Sequence, residues 1–550
     1  MIKTLVLTVL ISFTKANPIS DHFNLHVVSI NDFHARFDET NDAGGTCKDE
    51  NCIGGLSRLY NEIEKIKRSD PNVIILNGGD NFQGTLWYSI FKWNVTQHFL
   101  NKFNFDAVVL GNHEFDDGLE GLIPFMKALN APIVTANIDD TLEPEFQGLY
   151  TKSTIVERDG KRIGIVGVLT NTTVTTSSPG KLKFLHESAS VNAEAERLVK
   201  EEGVFTVIVL SHCGYESDEA IAANATKKIG LIVGGHTHTL LYSGAPVPGP
   251  DHALGPFPTI VKRKDGNQVL IIQSSAYSKY FGDIHASYNL EGEVVDFSGN
   301  SRFLDHTVPQ NKELNEELLP WKKTIDAMGD EVLGSTLVDL TKTSCYTQEC
   351  LLGNFVTDAY VYHYSKKAKP GSWTYASLAI INPGGLRTDI KKGNITYNDL
   401  INAQPFSNTA DVSELQGKHI KQLFENAVST SVKTPKVKIN LRVFQVSGIK
   451  IVIDLHRPVG QRVTSLQVLC NNCSEPAYEP LDEEKDYRII TPSFLTGNEG
   501  YPPLTHMKNT IIGGVDVDVI RNYLADKSPV SQKIEGRIEI IGTNEFFSIT

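Results

Sequence analysis

The sequence predicts an α/β fold class, with a layered N-terminal α/β domain and a C-terminal α+β domain joined by a helix. The chain has 550 residues, which is too long for one compact domain. Short β-rich apolar runs alternate with helical patterns between about residues 25 and 284, which is typical of a layered α/β domain. A charged helical stretch then separates this region from a second segment of mixed pattern.

These changes of pattern predict the domain boundaries. Residues 22–310 are expected to form the first domain and residues 333–545 the second. The linker helix is expected over 311–332, where the helical pattern runs from Asn311 to Met328 and is broken by Pro320.

Composition and charge exclude several classes of protein. Apolar residues make up 40% of the chain and charged residues 21%, so neither a disordered protein nor a coiled coil is expected. The net charge of -13 is opposite in sign to that of proteins that wrap nucleic acid, and we expect no nucleic-acid partner. No run reaches the roughly 18 apolar residues that a membrane-spanning helix needs.

The N-terminal end of the sequence has the pattern of a secretory signal peptide. Lys3 precedes an apolar run over Leu5–Phe13, and Ala16 offers a small residue for cleavage. We expect residues 1–16 to be this signal, with a buried first strand as the alternative. No apolar tail of the length needed for a lipid-anchor signal is found at the other end. The predicted localisation is therefore secreted and extracellular, without a membrane anchor.

Cysteine usage agrees with an extracellular protein. Six of the seven cysteines fall in short-range pairs, and Cys213 is left over. The pairs are Cys47 with Cys52, Cys345 with Cys350, and Cys470 with Cys473. Disulfides are expected in a secreted chain, with a zinc knuckle as the alternative at the last pair. N-glycosylation sequons begin at Asn94, Asn171, Asn224, Asn394 and Asn472.

The apolar runs of the first half are predicted strands, and polar residues follow most of them directly. The runs are Leu25–Ile30, Val73–Leu76, Ala107–Leu110, Ile163–Val168, Phe205–Leu210 and Leu231–Val233. The amphipathic stretches Leu56–Ile66 and Ala193–Val199 are predicted helices, and the Gly/Pro-rich Tyr242–Pro258 is a predicted loop. Five of the runs lead into an Asp, Asn or His, in the sequences NDFH, NGGDN, GNHEFD, SH and GGHTH. Because the carboxyl ends of the strands share one edge of an open α/β sheet, these side chains are expected to converge.

The converging residue types suit a metal centre. Imidazoles and carboxylates with one amide oxygen are ligands for zinc or another divalent transition ion. Seven candidate ligands are too many for one four-coordinate ion, but they suit two ions that share a bridging carboxylate. For each residue taken alone, a loop pair or a structural histidine is the alternative interpretation.

These motifs also resemble a known family. DFH, GGDN, GNHEFD, SHC and GGHTH are similar to the calcineurin-type metallophosphoesterase pattern in its 5'-nucleotidase/apyrase branch. The stretches NFQGTLWY, KWNVT and LSHCGYE resemble the secreted salivary apyrases of blood-feeding arthropods. The resemblance covers nearly the whole chain. It implies a four-layer metallophosphoesterase domain followed by the branch's substrate-binding domain.

The resemblance implies how the ligands divide between two divalent ions. One ion would be bound by Asp32, His34 and His238, the other by Asn112, His212 and His236, and Asp80 would bridge them. The histidine-rich set favours zinc, with calcium, magnesium or manganese as alternatives. His113, next to a ligand, would face the phosphate and stabilise the transition state or protonate the leaving oxygen. Asp116 would accept from its other ring nitrogen and fix the tautomer.

The second domain would hold the nucleotide. Asn382 and Arg387 flank a Gly-rich turn after a predicted strand over 378–381, which suits a phosphate or ribose. Phe406 and Phe494 lie in the two loops that resemble the family's base-stacking loops. Glu499 follows in the second of these loops, where the family typically has an Asp.

The implied function is a secreted apyrase that hydrolyses ATP and ADP to AMP and phosphate and so inhibits platelet aggregation in a host. The alternatives are a 5'-nucleotidase that converts AMP to adenosine, and a non-catalytic protein that binds a host platelet or plasma protein. Tyr346 stands where the family often has an Arg, so that one phosphate contact is missing and substrate preference stays open.

Overall fold

The computed structural model describes residues 22–47, 50–406, 408–429, 441–471, 473–498 and 500–542. Several predictions lie outside these residues: the signal peptide over 1–16, the sequon at Asn472, the candidate Glu499, and the end of the second domain at 543–545.

The first half of the chain alternates strands and helices, as the apolar runs predict. Its elements are β1 Phe23–Ile30, α1 Leu56–Ser69, β2 Ile74–Asn77, α2 Leu86–Phe91, α3 Trp93–Leu100, β3 Ala107–Val108, α4 Gly118–Ala128, β4 Ile138–Asp139, β5 Ser153–Arg158, β6 Lys161–Leu169, α5 Thr173–Thr176, β7 Lys183–Phe184, α6 Glu187–Arg197, β8 Thr206–His212, α7 Tyr215–Ala223, β9 Ile229–Val233, β10 Leu240–Leu241, β11 Ala253–Gly255, β12 Thr259–Lys262, β13 Gln268–Ile272, β14 Tyr280–Tyr288 and β15 Val294–Phe303. The six predicted strands and two predicted helices are present. The predicted loop over 242–258 differs in one respect, because it contains the short strand β11.

The strands that lead into the polar motifs belong to two sheets rather than one. The first sheet has the order β15-β14-β1-β2-β3 and the second β12-β13-β9-β8-β6-β5. Strands β1, β2 and β3 run parallel, as do β6, β8, β9 and β13. The expectation of a single shared sheet edge is therefore wrong, because local apolar periodicity shows that a strand exists but not which strand it pairs with.

The two sheets pack face to face. Leu25 and Val27 of β1 lie in one buried apolar cluster with Ile165 of the second sheet. The alternate residues Val28 and Ile30 point to the opposite face, in a cluster that includes residues of α1, α3 and α4. Helices α6 and α7 contact the second sheet. The first half is thus a four-layer arrangement of helices, sheet, sheet and helices.

Helix α8 spans Lys312–Gly329 and connects the two halves. Asn311 caps the start of this helix, because its side chain accepts a hydrogen bond from the backbone N–H of Leu314 at 2.9 Å. Pro320 lies inside this helix and does not end it, in contrast to the prediction. Leu318 and Ile325 are buried on either side of the proline, so that packing offsets the hydrogen bond that a proline removes.

The second half is an α+β arrangement with two main sheets. Its elements are β16 Val332–Thr336, α9 Leu351–Ser365, β17 Leu378–Ile381, β18 Gly393–Thr396, α10 Tyr397–Ala403, β19 Ala410–Gln416, α11 Gly417–Ala427, β20 Gln445–Ser447, β21 Ile449–Asp454, β22 Val463–Leu469, β23 Tyr478–Pro480, β24 Asp486–Pro492, β25 Lys508–Ile511, α12 Asp516–Lys527 and β26 Ile538–Ile541. The main sheets have the orders β20-β17-β24-β19-β25 and β23-β22-β21-β26.

The cysteine predictions are confirmed. All three short-range pairs are disulfides, including Cys470–Cys473, for which the zinc knuckle was the alternative. Cys213 is free and buried. The sequon asparagines within the described residues, Asn94, Asn171, Asn224 and Asn394, are all exposed. Among the described residues, none of the helices is long and apolar enough to cross a membrane.

Candidate dinuclear metal centre

The seven predicted ligands come together at the carboxyl ends of strands from both sheets. Asp32 follows β1, Asp80 follows β2, and His212 is the last residue of β8. His236 and His238 follow β9. Asn112 begins a short 3-10 helix after β3. The loops after β1 and β2 are joined by backbone hydrogen bonds, from the Asp32 N–H to Gly79 and from the His34 N–H to Asp80.

Five of the seven predicted ligands have a left-handed backbone conformation. The φ angles are 50° at Asp32, 49° at His34, 53° at Asp80, 78° at His236 and 53° at His238. Such a conformation costs a non-glycine residue on the order of 1–3 kcal/mol and persists only where the surrounding structure holds it. The tight turns that it creates direct the side chains inward from the strand ends.

One group of ligands surrounds the Nε2 atom of His34. This atom lies 3.0 Å from Nε2 of His238 and 3.7 Å from Oδ2 of Asp80. Asp32 Oδ1 lies 3.4 Å from Nε2 of His238. One potential ligand atom from each of these four residues lies within 4.8 Å of the others, so the group can hold a metal ion.

A second group shares Asp80 with the first. The Oδ2 atom of Asp80 is 3.1 Å from Nε2 of His212, and these two residues form a further metal-binding group with His236. Asn112 Oδ1 lies 2.8 Å from Nδ1 of His236. Asp80 is therefore placed between two groups of ligands, as the resemblance implies for a bridging carboxylate.

Hydrogen bonds at the Nδ1 atoms of His34 and His212 orient the two imidazoles for metal binding. His34 Nδ1 lies 3.1 Å from the carbonyl of Phe82, and His212 Nδ1 lies 2.6 Å from the carbonyl of Gly78. A donor at Nδ1 leaves the lone pair of Nε2 directed into the site. The buried Nε2 of His212 makes no hydrogen bond within the described part of the chain, in spite of its nearness to Asp80. An orphaned buried nitrogen in this position is the expected state of an atom whose partner is a metal ion.

Burial dominates the titration of the ligand side chains. It raises the pKa of Asp32 to about 7 and lowers the pKa of His236 to about 3. It also lowers the pKa of His34. Burial opposes the charged form of His212 as well, but the carboxylate of Asp80 outweighs it and raises the pKa of His212 to about 10. The neutral imidazoles of His34 and His236 offer lone pairs to a divalent cation, whereas a cation that binds His212 must displace its proton.

His113 lies beside both ligand groups. Its backbone N–H donates to Oδ1 of Asp80 at 2.9 Å, and its Nδ1 lies 2.6 Å from Oδ2 of Asp116. The hydroxyl of Ser177 donates to the other oxygen of Asp116 at 2.6 Å. Burial opposes the charged form of His113, but Asp116 and Asp80 raise its pKa. The arrangement orients the imidazole and stabilises its protonated form.

Glu114 supports the centre and was not singled out in the sequence. Its buried carboxylate accepts backbone N–H groups from Asp80, Asn81, Phe82 and Gly111 at 2.5–3.2 Å. It therefore ties the loop after β2 to the turn after β3. Gly111 is required there, because a Cβ atom at this position would lie 2.2 Å from Oδ1 of Asp80. The sequence does place Glu114 within the ligand-rich motif GNHEFD. Nothing in the local sequence, however, shows that its carboxylate faces backbone N–H groups.

Two substrate-binding candidates of the second half reach this centre. Arg387 Nη2 lies 3.3 Å from Nε2 of His34, and the ring of Phe406 stacks on that of His113 with centroids 5.5 Å apart. Asn382 is buried at the end of β17, in the same turn as Arg387.

Phe494 lies in a second loop that is tied to the Phe406 loop. It is half-buried, and its ring centroid is 6.4 Å from that of Tyr501. The Phe494 N–H donates to the side-chain oxygen of Asn408, which ties the two aromatic loops together. No ring contact joins Phe406 to Phe494 among the described residues.

Comparison with known proteins identifies the family of this chain. The calcineurin-like phosphoesterase family matches residues 25–240, and the 5'-nucleotidase C-terminal domain family matches residues 332–506. An apyrase of Tabanus yao is 43% identical over 97% of this chain and 98% of its own length. The chain belongs to the 5'-nucleotidase/apyrase family of calcineurin-like phosphoesterases.

Other members of the 5'-nucleotidase/apyrase family align over similar lengths. An apyrase of Aedes aegypti is 36% identical over 94% of this chain and 92% of its own. A 5'-nucleotidase of Bos taurus is 35% identical over 95% and 92%. A crystal structure of a 5'-nucleotidase precursor from Thermus thermophilus superposes with a TM-score of 0.85 at 31% identity, over 94% of this chain and 100% of that one. This member of the family is thus a metal-dependent nucleotide phosphohydrolase, whose fold and ligand cluster imply two divalent metal ions.

Proposed function

We propose that this chain is a secreted apyrase that hydrolyses ATP and ADP to AMP and phosphate at a dinuclear zinc centre. The observation that carries the proposal is the convergence of two ligand groups on Asp80, beside which Arg387 of the second half reaches His34. The whole-length similarity to two apyrases supports the choice of substrate. The proposed division into domains over 22–310 and 333–545, with the linker helix over 311–332, is the one that the sequence predicts.

The seven ligands are assigned to two ions as the family pattern implies. Asp32, His34 and His238 would hold one ion, Asn112, His212 and His236 the other, and Asp80 would bridge them. Four imidazoles among seven ligands favour zinc over calcium, magnesium or manganese. When bound, such a pair of ions polarises a phosphoryl group and lowers the pKa of a water molecule.

His113 and Asp116 are the proposed catalytic pair. Asp116 holds Nδ1 of His113, so that Nε2 is left to face the phosphoryl group or the leaving oxygen. A protonated imidazole in this position stabilises negative charge and can deliver a proton to the nucleotide that leaves. Proton transfer of this kind contributes about 10²–10⁴ in rate.

The second half is proposed to bind the nucleotide. Arg387 has a planar guanidinium suited to phosphate oxygens, and Asn382 lies in the same turn. Phe406 and Phe494 would stack on the adenine, since flat aromatic rings pack on the face of a base. Glu499 is proposed as a further contact to the substrate. Removal of ADP by a secreted enzyme of this kind would suppress platelet aggregation in a host.

Release of phosphate from ATP, ADP and AMP tests this proposal directly. We expect the purified, zinc-loaded protein to release phosphate rapidly from ATP and ADP but not from AMP, and a chelator to abolish the release. The His113→Asn variant keeps all seven ligands, so it serves as the matched control for metal binding. Its rate of phosphate release should be at least a hundredfold lower than that of the wild type. Faster release from AMP than from ADP would establish a 5'-nucleotidase instead. Absence of release from all three nucleotides would leave the non-catalytic binding protein as the remaining hypothesis.

A further inference from the structure

A second cluster of histidine and carboxylate side chains lies on the first sheet, away from the seven ligands. His26 of β1 pairs directly with His285 of the antiparallel strand β14. Asp283 precedes His285 by two residues and therefore points to the same face of the sheet. His26 lies four residues before the end of β1, about 13 Å along the strand from the edge that carries the catalytic cluster.

The three side chains already have the spacing of metal ligands. Nε2 of His26 lies 2.9 Å from Oδ1 of Asp283, and the rings of His26 and His285 stack with centroids 3.9 Å apart. One potential ligand atom from each residue lies within 4.8 Å of the other two. Two imidazoles and one carboxylate, with a fourth position open to water, are a ligand set that zinc accepts.

Hydrogen bonds with Asp70 and Arg302 orient His26 and Asp283 for metal binding. Nδ1 of His26 lies 2.9 Å from Oδ2 of Asp70, which is the carboxylate–histidine arrangement found behind many metal ligands. Arg302 donates to Oδ2 of Asp283 at 3.1 Å and leaves Oδ1 facing His26. The side chain of His26 is 9% exposed, whereas His285 is exposed and leaves a path from solvent.

We propose that His26, Asp283 and His285 form a further metal site that binds one divalent transition ion, with Zn²⁺ as the probe. An ion bound at this site would link β1 to β14, and Asp32 follows β1 in the chain. It is separate from the catalytic ligands and does not depend on the substrate proposed above.

A proton competes with the ion at this site. Burial lowers the pKa of His26, but Asp283 and Asp70 outweigh it and raise the pKa, so the ring binds a proton more tightly than a free imidazole does. Burial, followed by the charge of His26, lowers the pKa of His285 and leaves that ring neutral. The charged groups that face the pair are Asp70, Asp283 and Arg302. Binding is therefore measured at pH 8, where the proton is a weaker competitor.

The test compares the zinc content of full-length variants after dialysis against buffered free zinc at pH 8. We expect the wild type to hold one more ion per chain than His285→Ala, whatever the occupancy of the catalytic cluster. The exposed His252→Ala variant is the matched control and should hold as many ions as the wild type. Equal zinc content in the wild type and His285→Ala would overturn the proposal.

A second measurement covers the case in which a variant folds poorly. An ion that binds only the folded state raises the midpoint of thermal unfolding. Once the catalytic sites are saturated, further zinc should raise the midpoint for the wild type and His252→Ala but not for His285→Ala or Asp283→Asn. The same zinc-dependent rise in His285→Ala would contradict the assignment. Phosphate release by His285→Ala should equal that of the wild type, which separates this test from that of the proposed function.

Discussion

Arg387 and His34 lie 3.3 Å apart, between Nη2 of the guanidinium and Nε2 of the imidazole. The two residues come from opposite halves of the chain, so the contact places a fixed cation of the second half directly against a candidate metal ligand of the first. A phosphate drawn to the metal ions would therefore meet Arg387 as well.

The first prediction concerns this guanidinium. Arg387→Ala should lower kcat/KM for ADP by about 10- to 100-fold, since a hydrogen bond to a charged group is worth about 1.5–3 kcal/mol. Arg387→Lys should recover only part of the loss, because a lysine cannot make two parallel bonds to phosphate. Steady-state kinetics with ADP measures both, with the exposed Arg457→Ala as control. Full activity in Arg387→Lys would show that charge alone is needed.

A second prediction concerns Ser177, which donates to Asp116 behind His113. Ser177→Ala removes this hydrogen bond without touching a metal ligand, so we expect kcat to fall by roughly 3- to 10-fold, in line with a bond worth about 1 kcal/mol. The zinc content should stay unchanged. Ser177→Thr keeps the hydroxyl and should recover part of kcat. If Ser177→Ala changed KM alone, the hydroxyl would have no part in orienting His113.

Glu114 is predicted to hold the metal centre together. Glu114→Gln replaces one acceptor oxygen by an NH₂ group that faces backbone N–H donors, which leaves buried donors unpaired at a cost of about 1–3 kcal/mol each. We expect a lower midpoint of thermal unfolding and a 10- to 100-fold lower affinity for zinc. Thermal unfolding and zinc retention during dialysis measure the two effects. Glu120→Gln, at an exposed position in α4, should change neither. Unchanged zinc retention in Glu114→Gln would argue against this role.

The buried Asp516 predicts a pH dependence of stability. Burial raises its pKa from the usual value near 4 to about 7, so the folded protein holds a proton that the unfolded chain releases. Stability should therefore fall as pH rises from about 4 to about 7, by up to about 4 kcal/mol from this group. Asp516→Asn removes the titration, and its stability relative to the wild type should rise over the same interval. Urea unfolding of both proteins at pH 5 and pH 7.5 measures the difference. A difference independent of pH would contradict the assignment.

The fold and the convergence of the seven candidate ligands were largely predictable because both depend on local patterns. Each apolar run that ends at a ligand, such as Leu25–Ile30 before Asp32, forms a strand close to its predicted bounds. The division into two sheets was not predictable from the apolar periodicity, since pairing is a long-range property, and only the family resemblance implied the four layers. The continuity of α8 through Pro320 depends on burial of Leu318 and Ile325, which the sequence pattern alone does not establish.

The sequence did not predict the residues that support the metal centre, nor the contacts there between distant parts of the chain. Glu114 bonds backbone N–H groups up to 34 residues away, and Ser177 lies 61 residues from Asp116. The stacking of Phe406 on His113 joins the two halves of the chain. Such contacts leave no periodic or motif signal, because any polar or aromatic residue in a loop has the same local pattern.

Anomalous diffraction at the zinc edge from crystals of the zinc-loaded protein would test the proposed dinuclear centre directly. We expect two strong peaks on either side of the Asp80 carboxylate, about 3.5–4 Å apart as in other two-metal sites. One peak should have His34 and His238 as neighbours, and the other His212 and His236. A single peak at this position, or peaks that leave Asp80 uncoordinated, would contradict the dinuclear centre.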